Sequence, residues 1–107
     1  MVTKGDIIEL NFDPQKGHEQ AGFRPALVIS NAFFNSRTNF AIVVPITNTK
    51  KNFPLHIPLD DRTKTTGFLL CEHIKSVDLS AREYSYVEKI PLDLLDNVVS
   101  TVFAEIG

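Results

Sequence analysis

The hydrophobic pattern of this chain changes period once, and that change limits what it can fold into. Up to Glu88 the apolar residues come in short runs broken by turn formers. After Pro91 they recur at three- and four-residue steps: Leu95, Val98, Val99, Val102, Phe103 and Ile106, with Asp93, Asp96, Asn97 and Glu105 on the other side. The first pattern predicts strands and the second an amphipathic helix. Pro91 suits the helix's first turn, and Asp93 and Asp96 sit near its positive end.

Within the strand region, Asp6–Phe12 alternates Ile8, Leu10 and Phe12 with Glu9 and Asn11, so one face points inward. Asp13-Pro14 ends it. Pro25–Ser30 and Phe40–Ile46 are continuous apolar runs, as expected of strands buried on both faces. Pro45 points to an edge or a bulge. Asn31 could cap a short helical turn through Asn35. Leu55–Leu59, Phe68–Cys71, Lys75–Leu79 and Tyr84–Glu88 complete about seven strands. The expectation is a single domain over 1–107, mainly β: a small twisted or barrel-like antiparallel sheet with a C-terminal helix packed on it.

Composition narrows function by exclusion. The chain has 107 residues, long enough to bury about two-thirds of its unfolded surface. It has no apolar run of about 18 residues and no secretory leader pattern. One cysteine, Cys71, cannot form an internal disulfide, which fits a reducing, cytoplasmic setting. The net charge of −2 argues against a generally adhesive nucleic-acid binder. Residues 26–82 hold 7 basic and 4 acidic side chains, and residues 83–107 hold 1 basic and 5 acidic. The acidic tail reads as the solvated face of the helix, and the basic middle as chance or a working face.

Chemistry concentrates in the loop Gly17-His18-Glu19-Gln20-Ala21-Gly22-Phe23-Arg24-Pro25. It brackets an imidazole, a carboxylate and an amide between glycines and ends on a guanidinium at the start of a strand. Arg24 there suits bidentate recognition of a phosphate, or an ordinary ion pair with Glu19. Thr47 ends the next long strand, in Pro45-Ile46-Thr47, and could meet Arg24 if the two strands pair. It could equally be a turn former. Cys71 and His73, two apart on a strand, are too few for a closed metal site, and no CxxC or HxxxH spacing occurs. No GxSxG, Gly-rich phosphate loop or GxGxxG is present.

These residues carry a resemblance. Gly5-Asp6-Ile7, Asp13-Pro14, Lys16 through Val28, Val43 through Thr47 and, more loosely, Gly67 through Arg82 resemble the MazF/PemK family of toxin endoribonucleases. The resemblance implies an SH3-like barrel with a C-terminal helix and a homodimer. It implies metal- and cofactor-independent cleavage of single-stranded RNA at a short sequence. It further implies a cognate antitoxin that covers the site, with DNA met only through the antitoxin complex. Arg24 and Thr47 match the catalytic pair of MazF-like members, and His18 matches the catalytic histidine of the PemK-like branch. In that branch an arginine and an aspartate on a later strand also take part. Glu72 matches the aspartate conservatively, and Leu70 replaces the arginine.

The implied reaction is in-line attack of the RNA 2′-hydroxyl, leaving a 2′,3′-cyclic phosphate and a 5′-hydroxyl. Arg24 suits charge stabilisation but not proton removal, its pKa lying above about 12. His18, with an unperturbed pKa of about 6.5, or Glu19 is then the proton carrier, with Thr47 on the phosphate. RNA contacts fall to Gln20, Phe23, Asn48, Lys50, Lys51, Phe53, Arg62, Lys64 and Glu72: Phe23 and Phe53 for stacking, though either could fold onto the core, and the cations for the backbone. The rival reading is a CcdB-like toxin of the same fold that inhibits a protein such as DNA gyrase. The chain ends Glu105-Ile106-Gly107 and has no tryptophan, against the Trp-Gly-Ile ending that class depends on.

Overall fold

A computed structural model describes residues 1–13, 22–49 and 54–107. The strands are β1 (Asp6–Asn11), β2 (Phe23–Val28), β3 (Phe40–Thr47), β4 (His56–Pro58), β5 (Phe68–Leu70), β6 (Lys75–Asp78) and β7 (Tyr84–Lys89). Helix α1 (Ala32–Thr38) links β2 to β3, and α2 (Leu92–Ile106) closes the chain. The sheet runs β4-β5-β3-β2-β1-β7, with β6 also on β3, and every pairing is antiparallel. The ladder does not close into a barrel among the described residues. The twisted-sheet form of the expectation holds, and the closed barrel does not.

Strands β2 and β3 lie centrally, which explains their unbroken apolar runs. Ile7, Leu27, Val44, Ile46 and Leu69 face α2 and pack with its Leu95, Val98 and Val102. Ile8, Leu10, Ala26, Val28, Val43 and Val77 form a second core on the opposite face. Strands β1, β2 and β3 therefore each feed two cores through alternation of their side chains.

Pro45 is fully buried in the middle of the sheet rather than at an edge. The hydrogen-bond pattern accounts for it. Ile29 N–H donates to Ile42 O at 2.9 Å. Counting back along the antiparallel register, Ala26↔Pro45 is then a pair whose nitrogens point away from each other. On its other edge β3 pairs with β6 only to Val43 and with β5 only from Ile46. The missing N–H of Pro45 falls in that gap, where a change of partner asks for no donor.

The Asn31 side chain caps α1 as expected, accepting from Phe34 N at 2.9 Å, but the helix continues to Thr38. Asn39, at φ 60°, ends it in the left-handed region. Cys71–His73 forms a 3₁₀ turn and not part of a strand. In α2, Phe103 and Ile106 are 64% and 75% exposed, although the periodicity placed them on the buried face. They line an apolar groove of about 250 Å³ with Ile29, Ile42 and Ile74. The helix is about 22 Å long, and its last turn overhangs this groove instead of entering the core.

Candidate functional site

Arg24 and Thr47 lie at the same end of the sheet, on the neighbouring strands β2 and β3. The β2/β3 register pairs Ala26 with Pro45, and continued two positions it sets Arg24 opposite Thr47. Alternation decides the face. Arg24 pairs with Leu10 of β1 and shares its side of the sheet with Ala26, while Thr47 shares that side with Val43. Both side chains thus emerge from the face away from α2, where the second core gives way to solvent. Arg24 is exposed and Thr47 half-buried. Thr47 Oγ1 accepts from Thr49 N–H at 3.2 Å, which fixes its rotamer and leaves its own proton to donate.

Two devices hold this end in place, and sequence reading missed both. Gly67 lies against Thr47 so closely that a Cβ there would sit 2.4 Å from the Thr47 carbonyl oxygen. On the other side, Asp13 Oδ1 accepts from Gly22 N–H at 2.8 Å, and Phe12 N–H donates to Gly22 O at 2.9 Å. Arg82 then donates to the carbonyls of Asn11 at 3.0 Å and Asp13 at 2.8 Å. Residues 13 and 22 are therefore clamped together two residues before Arg24. Asp13 was visible as a strand breaker and as part of the family resemblance, but not as a clamp. The clamping role of Arg82 carried no signal, because its partners lie 69 and 71 positions away.

The remaining sequence candidates separate. His18, Glu19, Gln20, Lys50, Lys51 and Phe53 lie outside the described residues. Phe23 is 56% exposed beside Arg24, so its ring is presented to solvent and not folded onto the core. Asn48 follows Thr47 and accepts from Thr66 Oγ1 at 3.0 Å. Lys64 lines a groove described below. Arg62 forks between Asp60 and Asp93, each at 2.8 Å, tying the 60–66 loop to the start of α2. Those bonds hold Asp60 and Asp93 below the usual carboxylate range.

Glu72 lies at the 3₁₀ turn packed against α2, with Oε2 2.6 Å from His56 Nε2. Burial, then the charge of Glu72, pushes Glu105 of α2 above the usual glutamate range. Burial, helped by Glu105 and Glu72, pushes the Cys71 thiol up to about 12. Glu72 thus belongs to a titratable cluster under the helix, several residues along the sheet from Thr47. No group of three His, Cys, Asp or Glu among the described residues could hold a metal.

The structure is a small twisted antiparallel sheet under one C-terminal helix, with a guanidinium and a hydroxyl on one face of a clamped strand end. The comparisons give it a family. The model for PemK-like, MazF-like toxins of type II toxin-antitoxin systems matches residues 3–104, and the chain belongs to that family. Endoribonuclease toxin MazF of Escherichia coli K12 is 40% identical over 78 residues, covering 73% of this chain and 69% of that protein. Endoribonuclease PemK of Escherichia coli is 33% identical over 102 residues, covering 92% and 77%. A crystal structure of MazF from Deinococcus radiodurans superposes with a TM-score of 0.93 at 34% identity, covering 99% of this chain and 96% of that one. A MazE-MazF crystal structure from the same organism gives 0.86 at 28% identity, covering 99% and 95%.

Proposed function

We propose that this chain is the toxin of a type II pair and acts as a sequence-specific endoribonuclease on single-stranded RNA, needing no metal. The observation that carries the reading is that the β2/β3 register, continued past Ala26↔Pro45, puts Arg24 and Thr47 on one face of a clamped strand end. The 2′-oxygen attacks the adjacent phosphorus, and the bond from phosphorus to the 5′-oxygen breaks. The products are a 2′,3′-cyclic phosphate and a 5′-hydroxyl. Arg24 neutralises charge building on the equatorial oxygens, and the Thr47 hydroxyl donates to one of them. Neither removes the 2′-proton. His18 or Glu19 takes it, and an acid returns one to the leaving oxygen. Phe23 supplies an exposed ring for a base, worth about 1–3 kcal/mol when a base stacks on it.

The homologous names support the activity, being endoribonucleases at 33% and 40% identity. The MazE-MazF complex supports an antitoxin as partner. A homodimer is supported by the apolar groove at the end of α2, where Phe103 and Ile106 stand exposed. A second copy would cover it.

The test is incubation of purified protein with a long RNA in EDTA, with the cut ends mapped. Cuts at one short sequence with 5′-hydroxyl ends are expected. Arg24→Ala should lower the rate by about 10²–10³, and Thr47→Ala should also lower it. His18→Ala should change the pH–rate profile. Intact RNA with the wild-type protein refutes the reading and favours a toxin that inhibits a protein target.

A further inference from the structure

A second concavity, of about 370 Å³, opens on the other face of the same sheet end. Its lining includes Glu9, Pro25 and Val87 from the strands and Asn48 with residues 64–66 from the loops. Glu9 and Pro25 are register partners, and they share the α2 face with Ile7 and Leu27. The groove is therefore separated from Arg24 and Thr47 by the thickness of the sheet and joined to them at its rim by Asn48.

One wall is held in place by charge-assisted bonds. Glu88 accepts from Lys64 N–H at 3.0 Å, from Thr65 N–H at 2.8 Å and from the Thr65 hydroxyl at 2.8 Å. A register shift between Ile7 and Ile8 leaves Val87 as the extra residue of β7. Alternation from Ser85, the partner of Glu9, puts Val87 on the groove side, and the extra residue brings Glu88, the partner of Ile7, round to the same side. Burial alone would raise the Glu88 pKa, but the two amides and the hydroxyl outweigh it and the group lies below its usual range.

Glu9 has no such task. It is half-buried in the groove, and among the described residues its carboxylate has no hydrogen-bond or ion-pair partner. An ionised carboxylate is acceptor-only and repels phosphate, so beside an RNA path it suits a base edge rich in donors. Guanine offers two adjacent donors, N1–H and the 2-amino group, next to the O6 acceptor. The Lys64 ammonium and the Asn48 amide nitrogen supply donors for O6, the Thr65 and Thr66 hydroxyl protons being held by Glu88 and by the Asn48 oxygen. Uracil offers one donor flanked by two acceptors.

We propose that this groove is a base-reading subsite that takes an unpaired guanine near the cut, with Glu9 on its Watson–Crick edge. Glu88 is the positioning residue for its wall. The proposal rests on the RNA-cleaving reading, and binding tests it separately from cleavage. RNA oligonucleotides carrying a 2′-deoxy sugar at the cut, with G, A, C or U at each flanking position, are titrated against wild type, Glu9→Gln and Glu88→Gln.

Wild type should favour guanine over uracil at one position by about tenfold. Glu9→Gln should reduce this to about threefold or less while sparing the preferences at other positions. Glu88→Gln should flatten the same position and speed hydrogen exchange of the Lys64 and Thr65 amides. No guanine preference in the wild type, or one that survives Glu9→Gln, overturns the proposal. A guanine preference lost in Glu9→Gln, with no cleavage of all-ribose RNA, supports the subsite and refutes the reaction.

Discussion

Gly67→Ala tests whether the Thr47 end of β3 depends on one missing side chain. Gly67 has φ +121°, a conformation L side chains rarely adopt, and strain of that kind costs about 1–3 kcal/mol. The new methyl carbon would also sit 2.4 Å from the Thr47 carbonyl oxygen and 2.8 Å from its carbon. Neither side can yield cheaply. Thr47 is in register with Phe68, and Gly67 O accepts from Leu59 N–H at 2.9 Å. Overpacking against held backbone adds about 1–3 kcal/mol, for a total of about 2–6. For a domain of about 100 residues each kcal/mol shifts Tm by about 4–8 °C, so a fall of about 8 °C or more is expected.

Gly22→Ala is the control. It has φ +69° and nothing within 4 Å of its Cβ position, so it bears backbone strain alone, about 1–2 kcal/mol. Thermal melts of both variants, with RNA cleavage assayed well below each Tm, separate the two contributions. Gly67→Ala should lose activity even where folded, because the carbonyl it displaces belongs to the residue carrying the hydroxyl. Equal Tm losses in the two variants, or full activity in Gly67→Ala, would refute the reasoning.

Two further outcomes follow from the cluster under α2. Glu105 has a folded pKa raised first by burial and then by Glu72, so it destabilises the fold where it is ionised. Its Oε1 is buried with no hydrogen-bond partner among the described residues. Stability should therefore fall as pH rises from the usual glutamate range through the raised value. Glu105→Gln should raise Tm at pH 7 and do little below the usual range, and an equal gain at both pH values would contradict this. Cys71 is fully buried, with its thiol pushed up to about 12. At pH 8 it should resist a thiol reagent until denaturant is added, and rapid stoichiometric labelling of native protein would show the site open.

Much of this molecule is legible one segment at a time. The alternation in β1 marks its buried face, and the unbroken runs of β2 and β3 announce strands covered on both sides. The step pattern after Pro91 makes α2. These are local consequences of where apolar side chains fall on a pleat or a coil. The chemistry of Arg24, Thr47 and Phe23 was visible too, as residue types at strand ends. What no local pattern carries is pairing. Pro45 reads as an edge residue until β3 is seen to exchange β6 for β5 beside it, so that its missing donor costs no bond. Phe103 and Ile106 read as core until the helix is laid on a sheet that it overruns. Arg62 reads as a cation for RNA until Asp60 and Asp93 close on it.

The periods, the breakers and the stock of reactive groups are written locally, because they depend on neighbours a few residues apart. That Arg24 and Thr47 share a face, and that Glu9 looks out of the other, emerges from the assembled sheet. Those facts depend on the antiparallel register, in which a slip of one residue would turn every side chain of a strand to the opposite side.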